Sequence, residues 1–182
     1  MLAPVKKIYL TQNFGENPSS YLRFGLKGHN GLDFRAFLPS GERCYQAGKS
    51  EIFAPHDGKI IENAFDASGY GYYVKIENEK EGSVLGHFAQ LSSKKVGQSV
   101  TQGELIAYQG VTGNATGIHL HWGYYQKPRQ RNNGYNGFIN QKDLFVENTA
   151  ELEPTMTISQ KLFAELVGKA TKYDEAVSLG KL

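Results

Sequence analysis

The chain has 182 residues, of which 40% are hydrophobic and 21% are charged, and its formal net charge is +2. This balance is typical of a folded globular protein, and the length suits one ordinary domain with an appendage. The positive charge is mild and scattered, without a cluster of Lys and Arg among aromatic residues, which argues against nucleic acid as a partner. The single cysteine, Cys44, excludes an internal disulfide and a zinc site built from cysteines.

The N-terminal stretch, MLAPVKKIYLTQNFGENP, contains no apolar run long enough for a signal peptide. A membrane-spanning helix, which needs about 18 consecutive apolar residues, is not predicted anywhere in the sequence. Three explanations stay open at this point. The protein acts where it is made, it is exported by a route that its sequence does not reveal, or this chain lacks its leader.

The first 146 residues predict an all-β domain. Glycine is frequent, at 21 of 182 residues, and it separates short runs rich in Tyr, Phe, Val and Ile. Turn-rich connectors follow these runs, and residues 39–55 form a longer excursion between two of them. Strands are predicted at residues 32–37, 58–65, 71–79, 83–91, 104–110 and 119–126.

A helical pattern begins after about Glu147. Apolar residues recur there close to helical spacing, at Ile158, Leu162, Leu166 and Val167. Thr157 and Gln160 form a capping box at the start of this helix. The helix either docks on the domain or tethers the protein to a larger assembly. We therefore divide the chain into a domain of residues 1–146 and a helical extension of residues 147–182.

The stretch GIHLHW, at residues 117–122, places two of the five histidines one residue apart. Side chains alternate between the faces of a strand, so His119 and His121 share one face while Leu120 and Trp122 share the other. The apolar pair indicates that its own face packs into the core. The histidine face suits a metal ligand with its neighbour, a pair of proton shuttles, or exposure to solvent.

Two further motifs contain histidines next to glycine. In GHNGLDF, a turn separates His29 from Asp33, so that both side chains can reach one cation, and SVLGHFAQLS places His87 in a predicted strand. A catalytic zinc ion needs three protein ligands and an open position. His29, Asp33 and one histidine of the pair would supply three ligands, leaving two histidines for proton transfer.

The ordered motifs H-xxx-D, G-H-xxx-L and T-G-xx-T-G-x-H-L-H resemble those of the lysostaphin-type zinc metallopeptidases, the M23 or LytM-like endopeptidases. The resemblance extends over residues 25–125, and FINQKDLF at 138–145 resembles the end of such domains. It implies a compact antiparallel β-sheet with one zinc ion in a groove on the sheet. It also implies that His29, Asp33 and His121 bind the zinc, and that His87 and His119 are the catalytic histidines.

The sequence departs from the common pattern of this family at two places. Leu85 and Gly86 precede His87 where many members have an aromatic residue two positions before the histidine, and residues 39–55 are longer than the minimal form. Both differences bear on substrate preference, because the longer segment can reshape one wall of the groove. The fifth histidine, His56, matches no ligand position and is expected to be a surface turn residue.

Substrate contacts are expected from two kinds of side chain. Asn114 lies beside the loop that forms the site, where it either binds the substrate or stabilises the turn. Family members use a tyrosine to stabilise the oxyanion, and either Tyr45 or Tyr21 can fill that role.

The resemblance implies a zinc endopeptidase that hydrolyses peptide cross-links of bacterial peptidoglycan. Its place of action would then be the cell wall, whether periplasmic, extracellular or virion-associated. Two rival hypotheses are a catalytically silent relative that binds a partner or activates another hydrolase, and a structural part of a phage tail or secretion device with local hydrolysis.

Overall fold

The computed structural model describes residues 1–148. The predicted C-terminal helix and its proposed tethering role fall in residues 149–182, outside the described part, so the division at residue 146 stays a prediction. Among the described residues, no helix is long and apolar enough to cross a membrane.

Residues 1–148 are mainly β, and strand pairing is antiparallel in both sheets. A four-residue helix, α1 (Pro18–Tyr21), continues into a 3-10 turn (Leu22–Phe24). The strands are β1 (Leu10–Gln12), β2 (Leu32–Arg35), β3 (Glu51–Phe53), β4 (Gly58–Asp66), β5 (Gly71–Glu77), β6 (Glu81–Phe88), β7 (Ser99–Val100), β8 (Leu105–Tyr108) and β9 (His119–Gln126). Seven of them form one sheet in the order β1-β2-β9-β6-β5-β4-β7, and β3 pairs with β8.

The six predicted strands correspond to β2, β4, β5, β6, β8 and β9, which confirms a mainly β fold. The sequence did not predict β1, β3, β7 or α1. These elements have two to four residues, too few for an alternating pattern to stand out.

The alternation predicted for GIHLHW is present in β9. Leu120 and Trp122 are fully buried on the core face, where they meet Leu32 and Phe34 of the neighbouring strand β2. Each such side chain contributes about 1.5–3 kcal/mol when it leaves water. The opposite face of the same two strands therefore carries the polar residues on a rigid support.

The expectation that His56 is a surface residue is wrong, because its side chain is only 3% exposed. Its Nδ1 lies 2.9 Å from the carbonyl oxygen of Asp57, and its Nε2 lies 2.9 Å from Ser83 Oγ. The same hydroxyl accepts a hydrogen bond from Trp122 Nε1, at 3.0 Å. Polar partners at both ring nitrogens offset the cost of burying an imidazole.

Candidate metal centre

The three predicted ligands converge at strands β2 and β9 of the large sheet. His29 Nε2, Asp33 Oδ1 and His121 Nδ1 lie at the corners of a triangle with edges of 2.9, 3.0 and 3.1 Å. All three residues are buried. Within residues 1–148, these atoms form a group that suits a metal ion.

The register of two strands brings the ligands together. Asp33 of β2 and His121 of β9 are directly opposite each other in the antiparallel pair, so their side chains emerge side by side on one face. His29 precedes β2 by a short turn, in which Gly31 lies against β9. A Cβ at Gly31 would lie 2.7 Å from His121 Cε1 and 2.5 Å from the carbonyl oxygen of Trp122, so this approach requires glycine.

The N-terminal segment fixes the tautomer of His29. His29 Nδ1 lies 3.1 Å from the carbonyl oxygen of Asn13, and a carbonyl only accepts, so Nδ1 carries the proton. The lone pair of Nε2 is therefore free to point into the triangle. Such a hydrogen bond to the nitrogen that does not bind is the usual way to orient a metal-ligating histidine.

The three ligand atoms fit a zinc ion. Nitrogen and oxygen ligands about 2.1 Å from a tetrahedral zinc ion lie about 3.4 Å apart, so these atoms need to separate by only a few tenths of an ångström. Two imidazoles and one carboxylate are a common zinc ligand set that leaves a position for water. Without a cation, three potential acceptor atoms would crowd together in a buried place, which is unfavourable.

Electrostatics hold the ligands in the protonation states that bind metal. Burial opposes ionisation of Asp33, but contacts with His121 and His29 outweigh it and hold the pKa of Asp33 well below its usual range. Burial lowers the pKa of His121, although its contact with Asp33 opposes this shift. An ionised carboxylate and a neutral imidazole result, as metal coordination requires.

His87 and His119 stand beside the triangle with their ring centroids 4.6 Å apart. His87 Nδ1 lies 2.8 Å from the carbonyl oxygen of Thr112, and His119 Nδ1 lies 2.8 Å from that of Gly117. Both Nδ1 atoms are therefore protonated donors, which leaves each Nε2 as an acceptor. His119 Nε2 is 3.6 Å from Asp33 Oδ2, so the two histidines and the triangle form one cluster.

The environment of His87 keeps its imidazole neutral. Burial lowers its pKa to about 3, and charge on His119 and His121 acts in the same direction. The backbone of His87 adopts a φ of 62°, in the left-handed region that residues other than glycine rarely occupy. Such strain is common where a side chain must be aimed at a functional site.

A groove of about 520 Å³ runs over the cluster, and the three predicted ligands and the two predicted catalytic histidines all line it. One wall comes from α1 and the 3-10 turn, and the other from residues near Asn114 and Thr116. The walls meet where Arg23 Nη2 donates a hydrogen bond to Asn114 Oδ1, at 2.9 Å. Asn114 is thus at the groove, as a substrate contact requires, and its contact with substrate stays a prediction.

The structure does not bring Tyr45 to this groove. Tyr45 is 76% exposed and its ring lies beside the guanidinium of Arg43, 4.7 Å away. Tyr21 does line the groove, with its ring centroid 5.3 Å from that of His29. Of the two tyrosines considered from sequence, Tyr21 is therefore the one that faces the site.

Two further residues of the site were not predicted from the sequence. Tyr70 lines the groove with its ring centroid 5.3 Å from that of His121, and Asn30 Nδ2 donates to the Tyr70 hydroxyl at 3.1 Å. The position of Asn30 within the motif GHNGLDF was an available signal, because it lies between two ligands. Tyr70 belongs to the turn-rich connector DASGYG, which carries no such signal.

The family model of Peptidase family M23 matches residues 27–133, more than half of the chain and a range that contains all five clustered residues. The chain belongs to peptidase family M23. It is 33% identical over 107 residues to an uncharacterized metalloprotease of Haemophilus influenzae, covering 59% of this chain and 20% of that protein. It is 32% identical over 121 residues to the peptidoglycan DD-endopeptidase ShyB of Vibrio cholerae, covering 65% of this chain and 26% of that protein.

Solved structures agree with this assignment. A zinc-containing peptidase from Vibrio cholerae matches with a TM-score of 0.56 and 27% identity, covering 76% of this chain and 37% of that one. The catalytic domain of lysostaphin from Staphylococcus simulans matches with a TM-score of 0.58 and 20% identity, covering 75% of this chain and 91% of that one. The M23 chain therefore has the lysostaphin-type fold. It spans about a fifth to a quarter of the length of the two curated relatives.

Proposed function

We propose that this M23 chain is a zinc-dependent endopeptidase that hydrolyses peptide cross-links of bacterial peptidoglycan, and that it acts on the cell wall. The observation that carries the proposal is the cluster itself. Three ligand atoms lie within 3.1 Å of one another, and two more histidines direct an acceptor Nε2 towards the same groove. A silent binding module has no need for either feature.

His29, Asp33 and His121 would hold the zinc ion. When bound, zinc polarises the scissile carbonyl and lowers the pKa of a water molecule to about 7. The remaining steps are proton transfers. Attack of the water on the carbonyl carbon releases a proton, and breaking the C–N bond requires a proton on the leaving amine.

His87 and His119 are suited to both transfers. Each is held by an Nδ1–H donated to a backbone carbonyl, so Nε2 is the atom that takes up the proton of the water and later delivers it to the amine. The low pKa of His87, about 3, keeps its Nε2 unprotonated at neutral pH. Either histidine can act as the base, and once its Nε2 carries the transferred proton it can donate that proton to the leaving amine.

Tyr21, which lines the groove, would stabilise the oxyanion. Burial raises its pKa to about 12, with a further contribution from the charge of Asp33, so the hydroxyl stays protonated. In the absence of substrate this hydroxyl donates a hydrogen bond to Gln12 Oε1, at 3.2 Å. A long, exchangeable hydrogen bond of this kind leaves the hydroxyl available to a substrate oxygen.

Peptidoglycan is favoured as the substrate on two grounds. The groove opens along the sheet surface, which suits an extended peptide, and a relative 32% identical to this chain is named a peptidoglycan DD-endopeptidase.

The test of the proposed function is release of new amino groups from purified sacculi by the zinc-loaded protein. A chelator should abolish release and zinc should restore it, and a His87→Ala variant is the matched control.

Three results would contradict the proposal. Rapid cleavage of casein with intact sacculi would remove peptidoglycan as the substrate while keeping a peptidase. Tight binding to sacculi without release of amino groups, by protein that holds zinc, would favour the silent binding module. Activity that survives full removal of metal would exclude the zinc-dependent reaction.

A further inference from the structure

A second pocket, of about 130 Å³, lies at the end of β2 and shares no lining residue with the groove. Its walls are supplied by residues from four parts of the chain: Val5, Lys6 and Lys7; Arg35 with Phe37, Leu38, Pro39 and Gly41; Ser50, Glu51 and Phe53; and Gln109. Several of these residues belong to the segment 39–55, whose extra length was expected to reshape a wall of the groove. The segment lines this second pocket and is absent from the lining of the metal groove.

Arg35 connects the pocket to the catalytic cluster. It is two residues after Asp33 on β2, so both side chains emerge on the same face, and it is paired in register with His119 of β9. Successive residues on one face of a strand lie about 7 Å apart. The Arg35 position is therefore about 7 Å from Asp33 along β2, and it lies directly beside His119 of β9.

The guanidinium of Arg35 is held in place without a charged partner. It lies over the ring of Tyr9, 4.0 Å from the centroid, and the side chain is half-buried. Within residues 1–148, it makes no ion pair and donates no hydrogen bond to a side chain or backbone oxygen. A guanidinium that is held in place and has no acceptor of its own can bind a carboxylate in a bidentate manner, through two parallel hydrogen bonds.

The other charges of the pocket leave a positive balance. Lys6 is paired with Glu51, at 3.1 Å, and these two charges offset each other. Lys7 donates to the carbonyl oxygen of Gly41 at 2.8 Å and keeps its charge unpaired among the described residues. Arg35 and Lys7 together therefore favour an anion.

Gln109 lines the pocket with a buried, uncharged side chain. Its side chain is 1% exposed, its Nε2 donates to Ser50 Oγ at 2.9 Å, and its buried Oε1 has no partner within residues 1–148. Gln109 precedes Gly110, which bridges to His119. Gln109 thus adds no charge to the pocket, and the attraction of an anion depends on Arg35 and Lys7.

We propose that this pocket is a subsite for a free carboxylate of the peptide being cut. An extended peptide spans about 3.5 Å per residue, so this carboxylate would belong to a residue within about three positions of the scissile bond. The proposal rests on the proposed function and narrows its substrate class. It favours cross-links formed through a residue that keeps a free carboxylate next to the amide, as a diamino diacid does. Uncharged glycine bridges would leave Arg35 without its acceptor.

The experiment compares two cross-linked muropeptides that differ only in whether the carboxylate beside the cross-link amide is free or amidated. The zinc-loaded chain should prefer the free carboxylate by about 10- to 100-fold in kcat/KM, mainly through KM, as expected for a hydrogen bond to a charged group. Arg35→Met, which keeps an unbranched side chain against Tyr9, should bring this ratio close to one. Arg35→Lys should keep part of it.

Lys59→Met is the matched control, because Lys59 is exposed on β4, far along the sheet order from β2. It should keep the wild-type ratio. An Arg35→Met variant with the wild-type ratio would overturn the subsite. Dissociation constants for the two peptides, measured by calorimetry with the His87→Ala variant, test the subsite without turnover. If neither peptide is hydrolysed but this binding preference depends on Arg35, the proposed function fails and the subsite stands.

Discussion

Gly31→Ala is a sharp test of the ligand geometry, because it adds one methyl group where the turn meets β9. The added Cβ would lie 2.5 Å from the carbonyl oxygen of Trp122, 2.7 Å from His121 Cε1 and 2.9 Å from His121 Nε2. An ordinary nonbonded contact begins at about 3.5 Å, so some group must retreat by about 1 Å. The Trp122 carbonyl is fixed by Gln141 Nε2, which donates to it at 2.6 Å. The ring of His121, or the turn itself, therefore moves.

A shift of that size exceeds what a metal site tolerates, because metal–ligand distances stay within about 0.2 Å of their standard values. We expect the zinc affinity to fall by about 10- to 100-fold or more, the range seen when the support of a ligand is lost. Overpacking should also lower the free energy of unfolding by about 1–3 kcal/mol. Competition with a chromophoric chelator measures the affinity, and thermal unfolding of the metal-free protein measures the stability separately.

The matched control is Gly117→Ala. Gly117 has open space around its missing Cβ, and its carbonyl, which holds His119, is unaffected by a methyl group. This variant should bind zinc as the wild type does. A Gly31→Ala protein that keeps wild-type zinc affinity would show that His121 does not depend on this close approach, and would refute the reasoning.

Further predictions concern the proposed ligands, the proposed catalytic histidines and the core. Asp33→Ala should lose zinc by elemental analysis, and full occupancy would remove Asp33 from the ligand set. His87→Ala and His119→Ala should keep substantial zinc yet lose turnover by about 10²–10⁴-fold; loss of metal from His119→Ala alone would exchange the roles of the HxH pair. Burial lowers the pKa of His56, partly opposed by its hydrogen bond to Asp57, so the unfolded chain binds more protons than the folded one below about pH 6.5. The free energy of unfolding should therefore fall as the pH drops through that range, and His56→Gln should make the slope shallower in chemical denaturation; an unchanged slope would contradict the account of this residue.

The sequence predicted the cluster well because its residues lie in short motifs with fixed spacing. Strand alternation placed His119 and His121 on one face, and the family resemblance selected His121 as the ligand. The pairing of β2 with β9, which sets Asp33 opposite His121, was not predicted. The carbonyl groups of Asn13, Thr112 and Gly117 orient three histidines, yet any residue type supplies a carbonyl, so no sequence pattern reveals them.

The burial of His56 and the position of Arg35 have the same cause. Both depend on side chains far away in the sequence, Ser83 in one case and Tyr9 in the other, that the fold brings near. Tyr45 and Tyr21 were equally suitable by residue type. Only the path of the chain through α1 places Tyr21 at the groove.

The place of β9 in the sheet has a consequence for how the protein is made. β9 is the last strand of the described part in sequence, yet it lies between β2 and β6, so it alone joins β1-β2 to β6-β5-β4-β7. His29 and His121 are 92 residues apart, so the ligand triangle cannot form on the ribosome until β9 has emerged. Non-local pairing of this kind folds slowly, on the order of milliseconds to seconds. A nascent or truncated chain that ends before β9 would therefore lack His121, one corner of the triangle, and could not complete the candidate metal site.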